Sequence, residues 1–244
     1  MRRILLAAVL AATPLAMVAV PAAAQAQAPA EMRAKAERLA AILNPVDMAV
    51  EAAAKGGDTY FVPTMKRDPN MAALESKHPG IVEAMYKALR PTMLEIERVN
   101  ALETQRKFVD LYMAELTETD LDNLIAFYGG PLGQKLIEGM FNPATVGTIL
   151  NDGLDNGFAE VESDTISKTR ASNALGVAMA LGEEAEVAAT AFLETPSGKK
   201  VLALSPKVQA IAYEVMNSKH PELEARMQAD MQATMKAFGA EGAE

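Results

Sequence analysis

Apolar residues recur every three to four positions along most of this chain, which is the period of an amphipathic helix. The first clear example is the segment from Ala30 to Leu43, where one face carries Met32, Ala36, Leu39 and Leu43. A second begins at Thr117, a natural cap with Asp120 three residues on, and its apolar face is Leu121, Leu124, Ile125 and Tyr128. Both segments are therefore predicted to be helices with one buried side.

Prolines and glycines divide the pattern into elements. Asn44 before Pro45 predicts a cap and a new helix, and Gly56-Gly57 predicts the end of that helix. Residues 58–70 contain two prolines and no period, which predicts a loop. Helices are predicted to restart at Pro79, after His78, and at Pro221, the last ending near Phe238-Gly239.

Pro91 predicts the end or a kink of one helix, and a long helix is predicted from Thr92 to Glu115. The apolar stripe that this long helix would bury is Ile96, Val99, Leu102, Val109 and Met113. A further helix is predicted to follow Asn142-Pro143, with the face Val146, Leu150, Leu154 and Val161.

One interruption of the helical pattern occurs twice, as FYGGPLGQK at residues 127–135 and as FLETPSGKK at residues 192–200. Both share the spacing Phe-x3-Pro-x-Gly-x-Lys, carried by Phe127, Pro131, Gly133 and Lys135 in the first copy and by Phe192, Pro196, Gly198 and Lys200 in the second. We predict a tight corner in each copy: the first helix ends before the proline, the proline begins the next helix, and the glycine allows close packing. The repeated units are predicted to span residues 96–140 and 161–205.

The first copy, with its preceding helix, resembles the signature of the bacterial "domain of unknown function 2059" family. That signature is an acidic helix start followed by Phe-Tyr-x-Ser-Pro-x-Gly-x-Lys, and Phe127, Tyr128, Pro131, Gly133 and Lys135 match it. Gly130 stands where the family has Ser, while the second copy keeps a capping hydroxyl at Thr195 and lacks the Tyr. The resemblance implies an exported, all-helical protein, and it supplies no catalytic residue.

Composition supports helices throughout. Half of the residues are apolar, only 5% are aromatic, and Ala and Met, which favour helices, are abundant. We predict an all-α bundle of about eight to ten helices.

The amino-terminal residues have the features of a secretory signal peptide. Arg2 and Arg3 precede an apolar run from Ile4 to Val20, and small residues follow as cleavage triplets near Ala26. Residues 1–26 are predicted to be removed, leaving residues 27–244 as one helical domain without a stable membrane anchor. The expected location is the periplasm, with full secretion as the alternative.

Charge narrows the choice of partners. The formal net charge is −9, and removal of the two leader arginines makes the chain more acidic. An acidic chain without a basic stripe argues against nucleic acid as a partner.

Motifs that dictate a reaction are scarce. The chain has no Cys, no Trp and two His, and it lacks His-Glu-x-x-His, Gly-x-Ser-x-Gly and phosphate-binding glycine motifs. The carboxylate pairs Asp120/Asp122 and Glu183/Glu184 lie at predicted helix starts, where the helix dipole stabilises negative charge. We expect no catalytic residue, no cofactor and no enzyme activity; a hydrolase with an unrecognised site is an alternative.

The last helix carries Met227, Met231 and Met235 at four-residue intervals, with His220 just before it. Such a stripe is typical of a core seam, so Met227 and Met231 are predicted to be mostly buried against the body of the protein and Met235 less so near the helix end. The alternative is copper handling through these thioethers and His220. Each His lies in the sequence Ser-Lys-His-Pro, which is typical of a helix start.

The expected function is therefore non-catalytic. Helix-lined surfaces would bind another envelope protein, a peptide or a small apolar ligand.

Overall fold

The computed structural model describes residues 22–155, 177 and 182–240. Most of the predicted signal peptide, residues 1–21, lies outside the described residues, and so does most of the first half of the second predicted unit, including Val161. The helices are α1 (Ala22–Leu43), α2 (Val46–Met65), α3 (Pro69–Lys77), α4 (Ile81–Glu115), α5 (Glu118–Tyr128), α6 (Pro131–Met140), α7 (Ala144–Asp155), α8 (Glu183–Leu193), α9 (Pro196–Ala203), α10 (Ser205–Met216) and α11 (Pro221–Ala237).

The all-α prediction is confirmed. No strand occurs in the described parts of the chain, and the helix number agrees with the predicted scale, since α9 and α10 are separated only by Leu204. None of the helices in these parts is both long enough and apolar enough to span a membrane.

The main core lies where α1, α4 and α5 meet. Its fully buried members include Leu39 of α1, Tyr112 of α4 and Leu121 and Leu124 of α5. The faces that the helical period predicted for α1 and α5 are the faces that are buried, as expected for helices that gain stability from one apolar side.

A second cluster joins α2 to the beginning of α4. Its buried members are Met65, Ile81, Val82, Met85 and Ala240, and Met235 and Phe238 at the end of α11 pack against it. The long helix α4 therefore contributes to both clusters, and α11 lies along α4.

Three predictions about α2 are wrong. Gly56 and Gly57 do not end the helix, and residues 58–65 are helical rather than loop. The residue that precedes the helix is Pro45 rather than Asn44. Asn44 does not cap the helix; its side chain donates to the Ala101 carbonyl at 3.0 Å. The glycines have a packing role. A Cβ on Gly56 would lie 2.4 Å from the Cβ of Val146 on α7, so only glycine allows α2 and α7 to approach so closely.

The helix α4 also differs from expectation. It begins at Ile81 rather than Pro79, because Gly80 adopts a left-handed conformation with φ of 88° and turns the chain there. It then continues through Pro91 as one helix of 35 residues, about 52 Å long.

The predicted apolar stripe on α4 is only partly buried. Val109 is buried, whereas Val99 is 37% exposed and Leu102 is 53% exposed. The buried face of this part of α4 is instead Ala101, Thr104, Phe108 and Tyr112.

Candidate functional site

Both predicted corners are present. The helices α5 and α8 end at Tyr128 and Leu193, and Pro131 and Pro196 lie in the first turn of α6 and α9. The residues that cap α6 and α9 differ between the two corners, as expected. The Thr195 hydroxyl accepts a hydrogen bond from the Gly198 amide at 3.0 Å, whereas Gly130, at the same place in the first corner, has no side chain to accept one.

The shared position of the glycine in each corner has a geometric reason. A Cβ on Gly133 would lie 2.3 Å from the Phe127 carbonyl oxygen, and a Cβ on Gly198 would lie 2.2 Å from that of Phe192. Each glycine therefore allows the new helix to start directly against the last turn of the helix before it.

The two corners contact each other. The rings of Phe127 and Phe192 stack in parallel, with centroids 3.7 Å apart and planes 3° apart. Tyr128 meets both rings edge-on, at 5.0 and 5.9 Å. The equivalent phenylalanines of the two motif copies therefore form one aromatic cluster, a contact that the sequence did not predict.

Asp120 is the polar centre of the same contact. It is 5% exposed, and its carboxylate accepts hydrogen bonds from the Thr117 amide at 3.0 Å, the Thr117 hydroxyl at 2.6 Å, the Ser197 hydroxyl at 2.9 Å and the Lys200 ammonium at 2.5 Å. Asn123 donates to Ser197 at 3.1 Å. The capping box of α5 thus also anchors the first turns of α9.

Electrostatics keep this carboxylate ionised. Burial alone would raise the pKa of Asp120, but the hydrogen bonds from Lys200, Thr117 and Ser197 together outweigh it and hold that pKa well below its usual range. Lys135 occupies the place of Lys200 in the first copy; both lysines are exposed, and it is Lys200 that binds Asp120. The two corners are therefore alike in backbone and different in polar role.

Ser197 and Lys200 also have the Ser-x-x-Lys spacing of some acyl-transfer enzymes, a match that was not among the predicted features. Their geometry is structural. Ser197 is 2% exposed and donates to Asp120, and Lys200 donates to Asp120 rather than to the Ser197 oxygen. A nucleophile needs an effective base and access to a substrate. The acceptor of the Ser197 hydroxyl is Asp120, whose lowered pKa makes it a weak base, and Ser197 is buried.

Asp122, the second carboxylate of the first predicted pair, has a partner of its own on α1. Asp122 binds Lys35 of α1 at 2.8 Å, and Glu118 binds the same lysine at 2.7 Å. Glu183 is exposed at the beginning of α8. Asp120 and Asp122 therefore have different partners on different sides of α5.

A second polar cluster joins α2 to α4. Asp58 accepts from Tyr86 at 2.6 Å and from Arg90 at 2.7 and 2.9 Å, while Phe61 stacks on Tyr86. The bonds from Arg90 and Tyr86 lower the pKa of Asp58 to about 2. Burial, followed by the bond to Asp58, raises the pKa of Tyr86 to about 12.

Glu75 has a related role at the start of α4. It binds Lys66 and accepts from the amides of Val82 and Gly80, each at 3.1 Å. The bonds from Lys66 and from these two amides lower its pKa to about 2.

The lowered pKa values of these carboxylates predict how the stability of the protein falls in acid. A carboxylate whose pKa is lowered by folding stabilises the folded state above its ordinary pKa near 4, and this stabilisation is lost as the pH falls towards 2. We expect the urea midpoint to fall steeply between about pH 4 and pH 2. Asp58→Asn should make that fall shallower, whereas Asp47→Asn, at a side chain that is 92% exposed, should leave it unchanged. Equal slopes in all three proteins would contradict the role of Asp58.

The prediction for the methionine stripe is wrong for Met231 and for its order relative to Met235. Met231 is 39% exposed, Met227 is half-buried, and Met235 packs against the second cluster. The half-buried residues of α11 include Leu223, Met227 and Thr234, which share one side of the helix, and Met231 lies beside that side. Arg226, which is itself exposed, adds a hydrogen bond to Thr92 at 3.0 Å and an ion pair with Glu95.

His220 does not complete a metal site with these methionines. Its Nε2 lies 2.7 Å from Asn100 Oδ1, and it is about 16 Å from Met231 along the helix axis. In the described parts of the chain, no group of three or more His, Cys, Asp or Glu side chains could hold a metal ion. The copper alternative gains no support from this geometry.

An open concave surface lies between α1 and α4. Its volume is about 260 Å³, and we call it the α1–α4 groove; it is lined by Arg33, Glu37, Ala40, Leu102, Gln105, Arg106 and Val109. Leu102, which is 53% exposed, is part of it, and Val99 lies one turn away. The apolar residues that line the groove are Ala40, Leu102 and Val109, of which only Leu102 is exposed. The groove is therefore a narrow apolar strip between two helices, with charged residues of both signs on its edges.

The fold and these contacts define an all-α protein built around two contacting helix corners. Residues 103–141 match the model of the family described as "Uncharacterized protein conserved in bacteria (DUF2059)". The match supports the resemblance inferred from Phe127 to Lys135, and it covers the end of α4, α5, the first corner and α6. No curated protein and no solved structure gives a significant match to the chain.

Proposed function

We propose that this is a non-catalytic, exported binding protein that holds an amphipathic helix of a partner protein in the α1–α4 groove. The observation that carries the proposal is the exposure of Leu102, at 53%, on a strip of α4 whose helical period is that of a buried stripe. Amphipathic helices bind in this way, with their apolar face in a groove between two helices.

The size of the groove favours a helix over a small ligand. Sites for small ligands are usually enclosed and have volumes of about 300 to 1,000 Å³. The α1–α4 groove is smaller, at about 260 Å³, and it is open to solvent. An open strip between the ridges of two helices matches the side of a helix better than it matches a compact molecule.

Export is part of the proposal because of the amino-terminal sequence. Arg2, Arg3, the apolar run and the small residues before Ala26 are the features of a cleaved leader. The partner would then be a protein of the bacterial envelope.

The proposal is tested by copurification with a matched pair of variants. Leu102→Asp places a charge in the groove, whereas Leu202→Asp places the same charge on a leucine of similar exposure, 50%, on α9. We expect proteins that copurify with the tagged wild type and with Leu202→Asp to be lost from Leu102→Asp. Equal recovery with both variants would overturn the proposal.

A further inference from the structure

Each wall of the α1–α4 groove carries charges of both signs. The α1 wall carries Arg33 and Glu37, and the α4 wall carries Arg106. Arg106 has an acidic neighbour on its own helix, Glu103, at 3.6 Å. The groove therefore has no dominant sign that would select an acidic or a basic partner.

The ion pairs at this groove are long. Arg33 lies 3.8 Å from Glu37 and 3.5 Å from Asp110, and these side chains are all more than half exposed. By comparison, Lys35 of α1 is 2.7 and 2.8 Å from its two acidic partners on α5. Exposed pairs of this kind contribute little to stability, so their charges can be paired with another molecule at small cost.

Glu37 and Arg106 line the groove from opposite walls. The contacts of Asn44 with Ala101 and of Arg33 with Asp110 show that α1 and α4 are antiparallel, so Glu37 and Arg106 lie at about the same level. A two-fold axis parallel to the groove exchanges the walls of two facing molecules, and it would place Arg106 of a second molecule over Glu37 and Glu37 of that molecule over Arg106. The apolar strip with Leu102 would be covered at the same time. A two-fold interface uses the same patch on both molecules, which requires this kind of self-complementarity.

We infer that the partner of the α1–α4 groove is a second copy of this chain, whose own α1 and α4 cover the groove in a two-fold dimer with reciprocal Glu37–Arg106 ion pairs. The inference rests on the proposed function, because it names the partner of the same groove. The strip is narrow, so the dimer is expected to be weak and to depend on protein concentration.

Charge reversal tests the pairing. Glu37→Arg and Arg106→Glu each bring like charges together in a dimer, which is unfavourable, and each should weaken dimerisation at least tenfold. The two variants should form a mixed dimer when combined in equal amounts. In that dimer the arginine introduced at position 37 faces the glutamate introduced at position 106, and the native Arg106 faces the native Glu37.

The double variant should recover self-association, because it restores opposite charges at both contacts. Sedimentation equilibrium of the mature protein from about 5 to about 500 μM, a range that covers weak dimers, would measure these constants. Leu202→Asp is the control and should dimerise like the wild type.

The outcomes separate this inference from the proposed function. A wild-type protein that stays monomeric over the whole concentration range, or a mixture that does not associate, overturns the second copy as partner. If Leu102→Asp nevertheless loses a different copurifying protein, the groove remains a binding site for that protein. If Leu102→Asp loses neither self-association nor any partner, both are overturned.

Discussion

Replacing Asp120 by Ala is expected to destabilise the protein by about 3 kcal/mol, because this carboxylate is buried and accepts four hydrogen bonds. The substitution removes the N3 partner of the α5 capping box and leaves the Ser197 hydroxyl without its acceptor. It also removes the partner of Lys200. Because Lys200 is itself half-exposed, most of the loss is assigned to the hydrogen bonds rather than to the ion pair.

Asp122→Ala is the matched control two residues away. Its carboxylate is 55% exposed and binds Lys35 on the surface, so a loss below about 1 kcal/mol is expected. Urea unfolding at pH 7 measures both free energies. A double-mutant cycle with Ser197→Ala isolates the link between the two corners. An Asp120→Ala protein as stable as Asp122→Ala would mean that the corners are held by the aromatic stack alone.

The second large effect is expected at the corner glycines. In Gly198→Ala the new Cβ would lie 2.2 Å from the Phe192 carbonyl oxygen and 2.7 Å from Leu193 Cα, which are backbone atoms of the preceding helix. Relief of such a clash requires the two helices to separate, at a cost of about 3 kcal/mol. The same effect is expected for Gly133→Ala, where the new Cβ would lie 2.3 Å from the Phe127 carbonyl oxygen and 2.3 Å from Tyr128 Cα.

Gly130→Ala is the control within the first corner. Its Cβ would be 3.2 Å from the nearest atom, and φ of −78° suits any residue, so we expect a change below about 1 kcal/mol. Thermal unfolding of the three variants compares them directly. If Gly198→Ala unfolds at the same temperature as Gly130→Ala, the close approach of the helices at that corner is not required.

The local parts of the fold were predictable from the sequence. The capping box at Thr117 and Asp120, the apolar face of α5 and the two proline-led helices each depend on residues within one or two turns. Capping, proline geometry and the helical period act over such short distances, so one segment contains the information.

The tertiary contacts were not predictable in the same way. Gly56-Gly57 has the appearance of a helix end, because the local rule for glycine does not include α7, which lies much further along the chain. The pairing of Asp120 with Ser197 and Lys200 joins residues 77 and 80 positions apart. The duplicated spacing showed that the two corners were alike, and it contained no information that they would face each other.

Helical periodicity also could not predict that the groove is exposed. Val99 and Leu102 have the spacing of a buried stripe. That spacing is the same whether the stripe is covered by another helix of the chain or by another molecule. The prediction for Met231 failed for a related reason. Its helix is held beside α4 by Arg226 and His220, and the half-buried side carries Leu223 and Met227 while Met231 is exposed next to it.

The most direct test of the groove as a binding site is site-specific photocrosslinking in living cells. A photoreactive amino acid replaces Leu102 in the groove or Leu202 on α9, two positions of similar exposure on different parts of the surface. We expect discrete crosslinked protein adducts from position 102, including an adduct between two copies of this chain, and none from position 202. Equal adducts at both positions, or no adduct at position 102, would contradict the assignment of the groove as a binding site.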